Sequence, residues 1–384
     1  MKILLRGLRK TENTECDICG KESTNISSSL PLCLECIREK PDKSIEIASK
    51  IHSKTREEAG LPSQVPDSPE GVECDYCGNN CKISEGNRGY CDLSKNENCE
   101  LTREFGTYEK AIGSWYRDRH PTNCVASWCC AGGSGSGFPT YAKTPEGDKG
   151  YKSAAVFLGS CSYHCLYCQN SQWRRHAKDK KPVLEKDELV EEILSDSSIT
   201  CICWFGGSPE TQSPFVHEVS KELVERAKDK DRILRVCLET NGNFSKDLLD
   251  KIAKISLKSG GGIKFDLKAR DENLNRVLSG VDNTSTYENF ELLGELNSER
   301  KEPPFLRAST LLVPGYIDVK EIKKIARFIS DVDPTIPYSL LAYGPAFKLN
   351  DLPTTKRDFA FNAKKAAEKE GVEDVRVGNK HLLS

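Results

Sequence analysis

"AAVFLGSCSYHCLYCQNSQW", residues 154–173, runs from a short apolar stretch straight into three cysteines, Cys161, Cys165 and Cys168, spaced C-x3-C-x2-C. The apolar run at 154–159 reads as a buried strand, and the cysteines follow where that strand ends. Proteins usually give a [4Fe–4S] cluster four thiolates, so three at this spacing leave one iron without a protein ligand. A zinc knuckle is the alternative, but zinc takes four ligands, and the nearby His164 offers no evident geometry for the fourth.

Downstream, apolar runs alternate with amphipathic stretches. "ITCICWFGG" at 199–207, "ILRVCLETN" at 233–241, "GGIKFDLKA" at 261–269, "FLRASTLLVPG" at 305–315 and "PYSLLAYGP" at 337–345 read as further strands. Between them, segments such as "PFVHEVSKELVERAKDK" and "DVKEIKKIARFISDV" repeat apolar residues at three- and four-residue intervals, as one buried helix face requires. A last helix, "TTKRDFAFNAKKAAEKEG", precedes "VEDVRVGNK", which has room for one more strand. Six strand–helix units predict an α/β fold with a parallel sheet and a site at the C-terminal strand ends. They are too few for an eight-stranded barrel. An open, partial (β/α)6 TIM-like barrel fits better than a doubly wound sheet, although the pattern alone does not separate the two.

The first 150 residues are cysteine-rich and turn-rich instead. Three units are expected: a zinc-ribbon-like module at 1–60, a cysteine-rich metal-binding segment at 61–150, and the barrel at 151–384. Eighteen cysteines occur in the chain without an export signal, and they fall in short-spaced sets, which favours metal over disulfides. Cys16, Cys19, Cys33 and Cys36 form two C-x2-C knuckles, the pattern of a structural zinc site. Cys74, Cys77, Cys81 and Cys91 form a second complete set, open to zinc or an auxiliary Fe–S cluster. Cys124, Cys129 and Cys130 could replace one of these ligands or serve a further cluster, while Cys201, Cys203 and Cys237 lie within strands and read as core. "AGGSGSGFP" at 131–139 reads as a flexible stretch, and "HAKDKK" at 176–181 as a solvated loop. Trp173 and Arg174, just after the cysteines, are expected to pack on the first helix.

Lys+Arg is 56 against 58 Asp+Glu, a net charge of −2 that gives no general drive toward nucleic acid or an anionic membrane. No apolar run approaches a membrane span, and "MKILLRGLRK" is too short and too basic for a signal peptide, so a cytoplasmic location is expected.

With Tyr167 before the third cysteine and "CQN" beginning at that cysteine, the chain resembles the radical SAM superfamily, most of all its pyruvate formate-lyase-activating-enzyme branch. The likeness covers roughly residues 71–384, with several motifs in the right order. It implies a [4Fe–4S] cluster on Cys161, Cys165 and Cys168 whose open iron binds S-adenosylmethionine. Reductive cleavage there gives methionine and a 5′-deoxyadenosyl radical, which abstracts hydrogen from a substrate. Carried over by motif, Tyr167, the Gly206–Gly207 backbone, Glu239, Thr240, Asp266 and Lys268 surround the cofactor. Ser208 and Pro209 stand where relatives have Glu-Pro, which puts a side-chain role for Glu210 in question, and Glu239 replaces an Asp. Gly344 stands near the place of a family histidine, and the "LVPGY" turn reads as structural. The implied partners are a one-electron reductant such as a ferredoxin or flavodoxin and a protein or peptide substrate, with neither membrane nor nucleic acid expected. Radical modification of a small metabolite, or a metal-knuckle interaction module without catalysis, are the alternatives.

Overall fold

The six expected strands form at Lys152–Leu158, Ile199–Gly206, Arg235–Thr240, Ile263–Asp266, Leu306–Leu312 and Tyr338–Ala342. The computed structural model describes residues 12–122, 124–230 and 232–384, and it adds a seventh parallel strand, Val375–Gly378. Neighbours in this set are all parallel and follow chain order without reversal. A doubly wound sheet reverses its strand order part-way, whereas a barrel winds in one sense. The fold is therefore an open, partial barrel of the TIM type.

Covering on both faces explains why these strands read as near-continuous apolar runs. The first six residues of Ile199–Gly206 are all buried. Alternate side chains serve two layers. Trp204 points outward to the helix Ser213–Lys228, where its indole N–H donates to Ser220 Oγ at 2.9 Å and its ring meets Phe215 edge-on. Cys201 and Cys203 lie on the opposite, inner face.

The N-terminal module docks on the barrel. Its first knuckle sits on the hairpin of Thr14–Glu15 and Glu22–Ser23, and its second opens the helix Leu34–Glu39. Arg38 makes a two-pronged pair with Asp318 at 2.7 and 2.9 Å. The Val313-Pro314-Gly315 turn is structural, as expected. Gly315 has a φ of +81°, and a Cβ there would lie 2.0 Å from the carbonyl oxygen of Asn25. Of the expected module at 1–60, residues 1–11 lie outside the described residues.

Three expectations need correction. The segment expected to end at residue 150 supplies a strand to the sheet: Lys110–Arg119 pairs antiparallel with Lys152–Leu158 and, on its other side, with Val183–Glu185. The Gly/Ser stretch is packed, because Ala131–Ser134 forms a helical turn and a Cβ on Gly133 would lie 1.9 Å from the Ser127 carbonyl oxygen. Its glycines permit close backbone approach rather than mobility. "HAKDKK" is mostly helix, Trp173–Asp179, with Trp173 and Ala177 buried four residues apart and the charges turned outward.

Residues 120–150 close the N-terminal end of the barrel. Asp148 and Arg235, both almost fully buried, pair at 2.6 Å, and the same guanidinium donates to Thr200 Oγ1 and the Tyr141 carbonyl. Removing one member of a buried pair strands the other charge at a cost of about 3–5 kcal/mol, while replacing both by apolar groups of similar volume costs far less. Asp148→Asn should therefore lower unfolding stability by about 3–5 kcal/mol in denaturant titrations, and Asp148→Leu with Arg235→Met should recover most of it. Equal stability of Asp148→Asn and the unaltered protein would show that the pair does not hold this segment.

Candidate functional site

The cysteine loop begins at Gly159, one residue beyond the first parallel strand, and turns across the C-terminal rim of the barrel. Cys161, Cys165 and Cys168 line one cleft there, together with Tyr167, Gly206, Gly207, Glu239, Thr240, Asp266 and Lys268. Each of those four strands contributes at its end. Every residue that the sequence assigned to the cluster or cofactor lines this one space.

The glycine pair sets how closely two rims approach. Gly206 has a φ of +111°, and a Cβ on Gly207 would lie 1.8 Å from the Ser160 carbonyl oxygen. Gly207 N–H donates to Leu158 O and Ser208 N–H to Ser160 O, both at 2.8 Å. A side chain at Gly207 would push the cysteine loop off the second strand.

Glu210 is the residue that sequence reasoning underrated. Its carboxylate is completely buried. One oxygen accepts from Ser162 Oγ at 2.6 Å and Asn241 Nδ2 at 2.9 Å, and the other from Thr240 Oγ1 at 3.2 Å and from Ser208 Oγ. Asn241 Nδ2 also faces Cys161 Sγ at 3.7 Å. Thr240, expected at the cofactor, spends its hydroxyl on Glu210 and on the Gly242 N–H. Burial, reinforced by the Glu210 charge, pushes the Cys161 thiol well above its ordinary value, so deprotonation there calls for a compensating cation.

A second network lies deeper. Lys264 Nζ contacts Glu239 Oε2 at 3.0 Å and Asp266 Oδ1 at 2.8 Å, and Lys268 Nζ contacts Asp266 Oδ2 at 3.1 Å. Burial opposes the charge on Asp266, but Lys264 and Lys268 prevail and hold it well below the usual carboxylate range. Lys268 remains an ammonium for the mirror-image reason: burial works against it, and Asp266, then Cys165 and Cys168, favour the charge. Lys264 was legible as a neighbour, since residues two apart on a strand share a face.

Around this rim the cysteine loop is braced by other segments. His164 is buried and sets its Nδ1 3.0 Å from Nδ1 of His52 on the helix Pro41–Glu58. Burial pushes His52 down to about 4, so the contact is between neutral rings. Arg174 stacks on Trp173 and Phe347, at 4.4 and 4.0 Å from their ring centres. Trp173 packs at the start of the first helix, as expected, and also walls the cleft.

The two other expected cysteine sets differ in geometry. The Sγ atoms of Cys16, Cys19, Cys33 and Cys36 all lie within 4.8 Å of one another, the one metal-ligating group of this kind among the described residues. Cys74, Cys77, Cys81 and Cys91 are all buried, with Cys74 opposite Cys81 on a short hairpin. That hairpin abuts the site: Gly78 N–H donates to Asn243 O, and Asn79 Nδ2 donates to Ser162 O at 2.8 Å.

The family model of the radical SAM superfamily matches residues 156–329. That match covers under half of the chain, and over it the chain is similar to the superfamily. A provisionally named glycyl-radical enzyme activating enzyme of Methanocaldococcus jannaschii is 29% identical over 185 residues, which cover 48% of this chain and 64% of that one. The chain thus spans under two thirds of that relative's length. An uncharacterized protein of the same organism is 22% identical over 322 residues, covering 80% and 81%. Among solved structures, a domain of pyruvate-formate lyase-activating enzyme from Bacteroides vulgatus aligns with a TM-score of 0.34 and 17% identity, over 43% of this chain and 94% of that one.

Glu210 generates a direct test. Hydrogen bonds to a buried charge are worth about 1.5–3 kcal/mol each, and orphaned donors add their own penalty. Glu210→Ala should cost at least about 3 kcal/mol in unfolding stability. Glu210→Gln, which keeps the shape but turns two acceptor positions into donors, should cost nearly as much. Thermal unfolding unchanged in Glu210→Gln would mean that the network does not depend on the charge.

Proposed function

We propose that the protein is a radical SAM enzyme that holds a [4Fe–4S] cluster on Cys161, Cys165 and Cys168 and S-adenosylmethionine in the adjoining cleft, and that it modifies a protein or peptide. When bound, the cluster supplies the electron that splits S-adenosylmethionine to methionine and a 5′-deoxyadenosyl radical, which takes hydrogen from the substrate. The observation that carries this reading is the convergence of three thiols with Gly206, Gly207, Glu239, Asp266 and Lys268 on one cleft. The donor set fits the group. The three thiols are not drawn together as the four around a single ion are, and a cluster places its ligands on separate iron corners.

The chain's own residues then have distinct tasks. Lys268 presents an ammonium toward Cys165 and Cys168, held by Asp266, which suits the carboxylate of an amino acid. With the N–H groups of Gly207 and Ser208 engaged, the backbone carbonyls of the glycine pair are the groups suited to accept from an ammonium. Val125, Phe205, Leu311 and Leu341 supply apolar walls that keep water from a reactive species.

The same reading gives zinc to Cys16, Cys19, Cys33 and Cys36, because four thiolates at about 2.3 Å from one ion stand roughly 3.8 Å apart. Cys74, Cys77, Cys81 and Cys91, which form no such close group among the described residues, take a second metal centre, and an auxiliary Fe–S cluster suits their spacing better than a single zinc ion. A one-electron donor such as a ferredoxin or flavodoxin completes the system. The activating-enzyme name of one relative supports a protein substrate.

Two variants test the reading. In anaerobically reconstituted, chemically reduced protein, Cys165→Ala should abolish 5′-deoxyadenosine formation while the barrel still folds; normal cleavage would contradict the assignment. Lys268→Met keeps length and loses charge, so the cluster should assemble normally while S-adenosylmethionine affinity, read by calorimetry, falls about tenfold to a hundredfold. Unchanged affinity would give the carboxylate another partner.

A further inference from the structure

A second concentration of thiols lies inside the barrel, near the start of the strands and away from the cysteine loop. Cys201, Cys203 and Cys237 point inward from the second and third strands and meet Cys124 and Cys130 of the closing segment, so that five cysteines line one internal cavity. Glu239 and Lys264 wall both this cavity and the cofactor cleft. Buried cysteines are commonly small apolar core residues. Here they surround a charge instead.

Arg307 lines the same cavity, is only 4% exposed, and leaves Nε and Nη2 without a hydrogen-bond partner. Burial works against its charge, and the groups that favour it are Cys129, Cys130, Cys237 and Cys124. His120, also on the cavity wall, has a buried Nδ1 without a partner, while its Nε2 lies 3.5 Å from Cys201 Sγ. The carboxylate on the wall, Glu239, is already paired with Lys264. A buried guanidinium with unmatched donors is costly unless an anion meets it, and neutral thiols are poor acceptors. A thiolate-bound metal centre removes that cost, because it is anionic and its sulfur atoms accept N–H bonds.

A single ion would draw its ligands together as at Cys16, Cys19, Cys33 and Cys36, and the cavity cysteines, spread over two strands and a loop, form no such group among the described residues. We propose that this cavity holds an iron–sulfur cluster, ligated by four of the five cysteines Cys124, Cys130, Cys201, Cys203 and Cys237, with Arg307 donating to its sulfur atoms. The site is separate in its ligands from the one on Cys161, Cys165 and Cys168.

The test begins from the variant with Cys161, Cys165 and Cys168 all changed to Ala, so that its outcome does not depend on the cofactor cluster. Two further variants carry, in addition, either Cys203→Ser with Cys237→Ser, or Cys124→Ser with Cys130→Ser. Iron, acid-labile sulfide and zinc are measured after anaerobic reconstitution, with far-UV circular dichroism as the check on folding. Each pair should remove about two to four irons per chain and as many sulfides, leaving zinc unchanged. The loop pair decides the matter if the strand pair disturbs folding. Unchanged iron and sulfide in a folded variant overturns the proposal, as does a loss of zinc without sulfide.

Discussion

The rim of this barrel depends on one buried carboxylate. Glu210 sits in the loop after the second strand and accepts from Ser162 on the cysteine loop and from Thr240 and Asn241 at the end of the third strand. Three segments far apart in sequence are thereby fixed to one centre. The arrangement is stable only while every donor is present, because a buried charge without partners is far more costly than the bonds are favourable. The glycine pair before Glu210 serves the same end sterically, by letting the second strand lie against Ser160.

Charge around the cleft is organised in two layers. Glu210 places negative charge beside Cys161, and Lys268 places positive charge beside Cys165 and Cys168. Asp266, between Lys264 and Lys268, keeps both ammonium groups fixed and charged in a buried setting. The consequence is a cleft with preorganised polarity across its cysteines. Such preorganisation limits reorganisation when a ligand enters.

Much of this was legible before any coordinates. Strands covered on both faces read as apolar runs, and residues at their C-terminal ends face the site by topology, so Glu239, Asp266 and Lys268 were expected at the rim by position, with their link to a cofactor supplied by the family resemblance. Glu210 was not, because its role arises from loops that converge only in three dimensions. Lys110–Arg119 escaped notice since its second half is largely exposed and ends in "YRDR", without a continuous apolar signal. Cys201 and Cys203 are buried, as their reading as core expects. Nothing in their own strand reveals that residues 120–150 bring Cys124 and Cys130 against the same inner face.

The central claim is that one iron of the cluster on Cys161, Cys165 and Cys168 is open toward a cleft that accepts S-adenosylmethionine. Electron paramagnetic resonance of the reduced cluster, recorded with and without S-adenosylmethionine, reads that iron directly. A protein whose other cluster-forming cysteines have been replaced isolates the signal. The account predicts that the cofactor shifts the cluster's g-values, and that Lys268→Met needs more cofactor to produce the same shift. A spectrum that stays the same at saturating S-adenosylmethionine would contradict it.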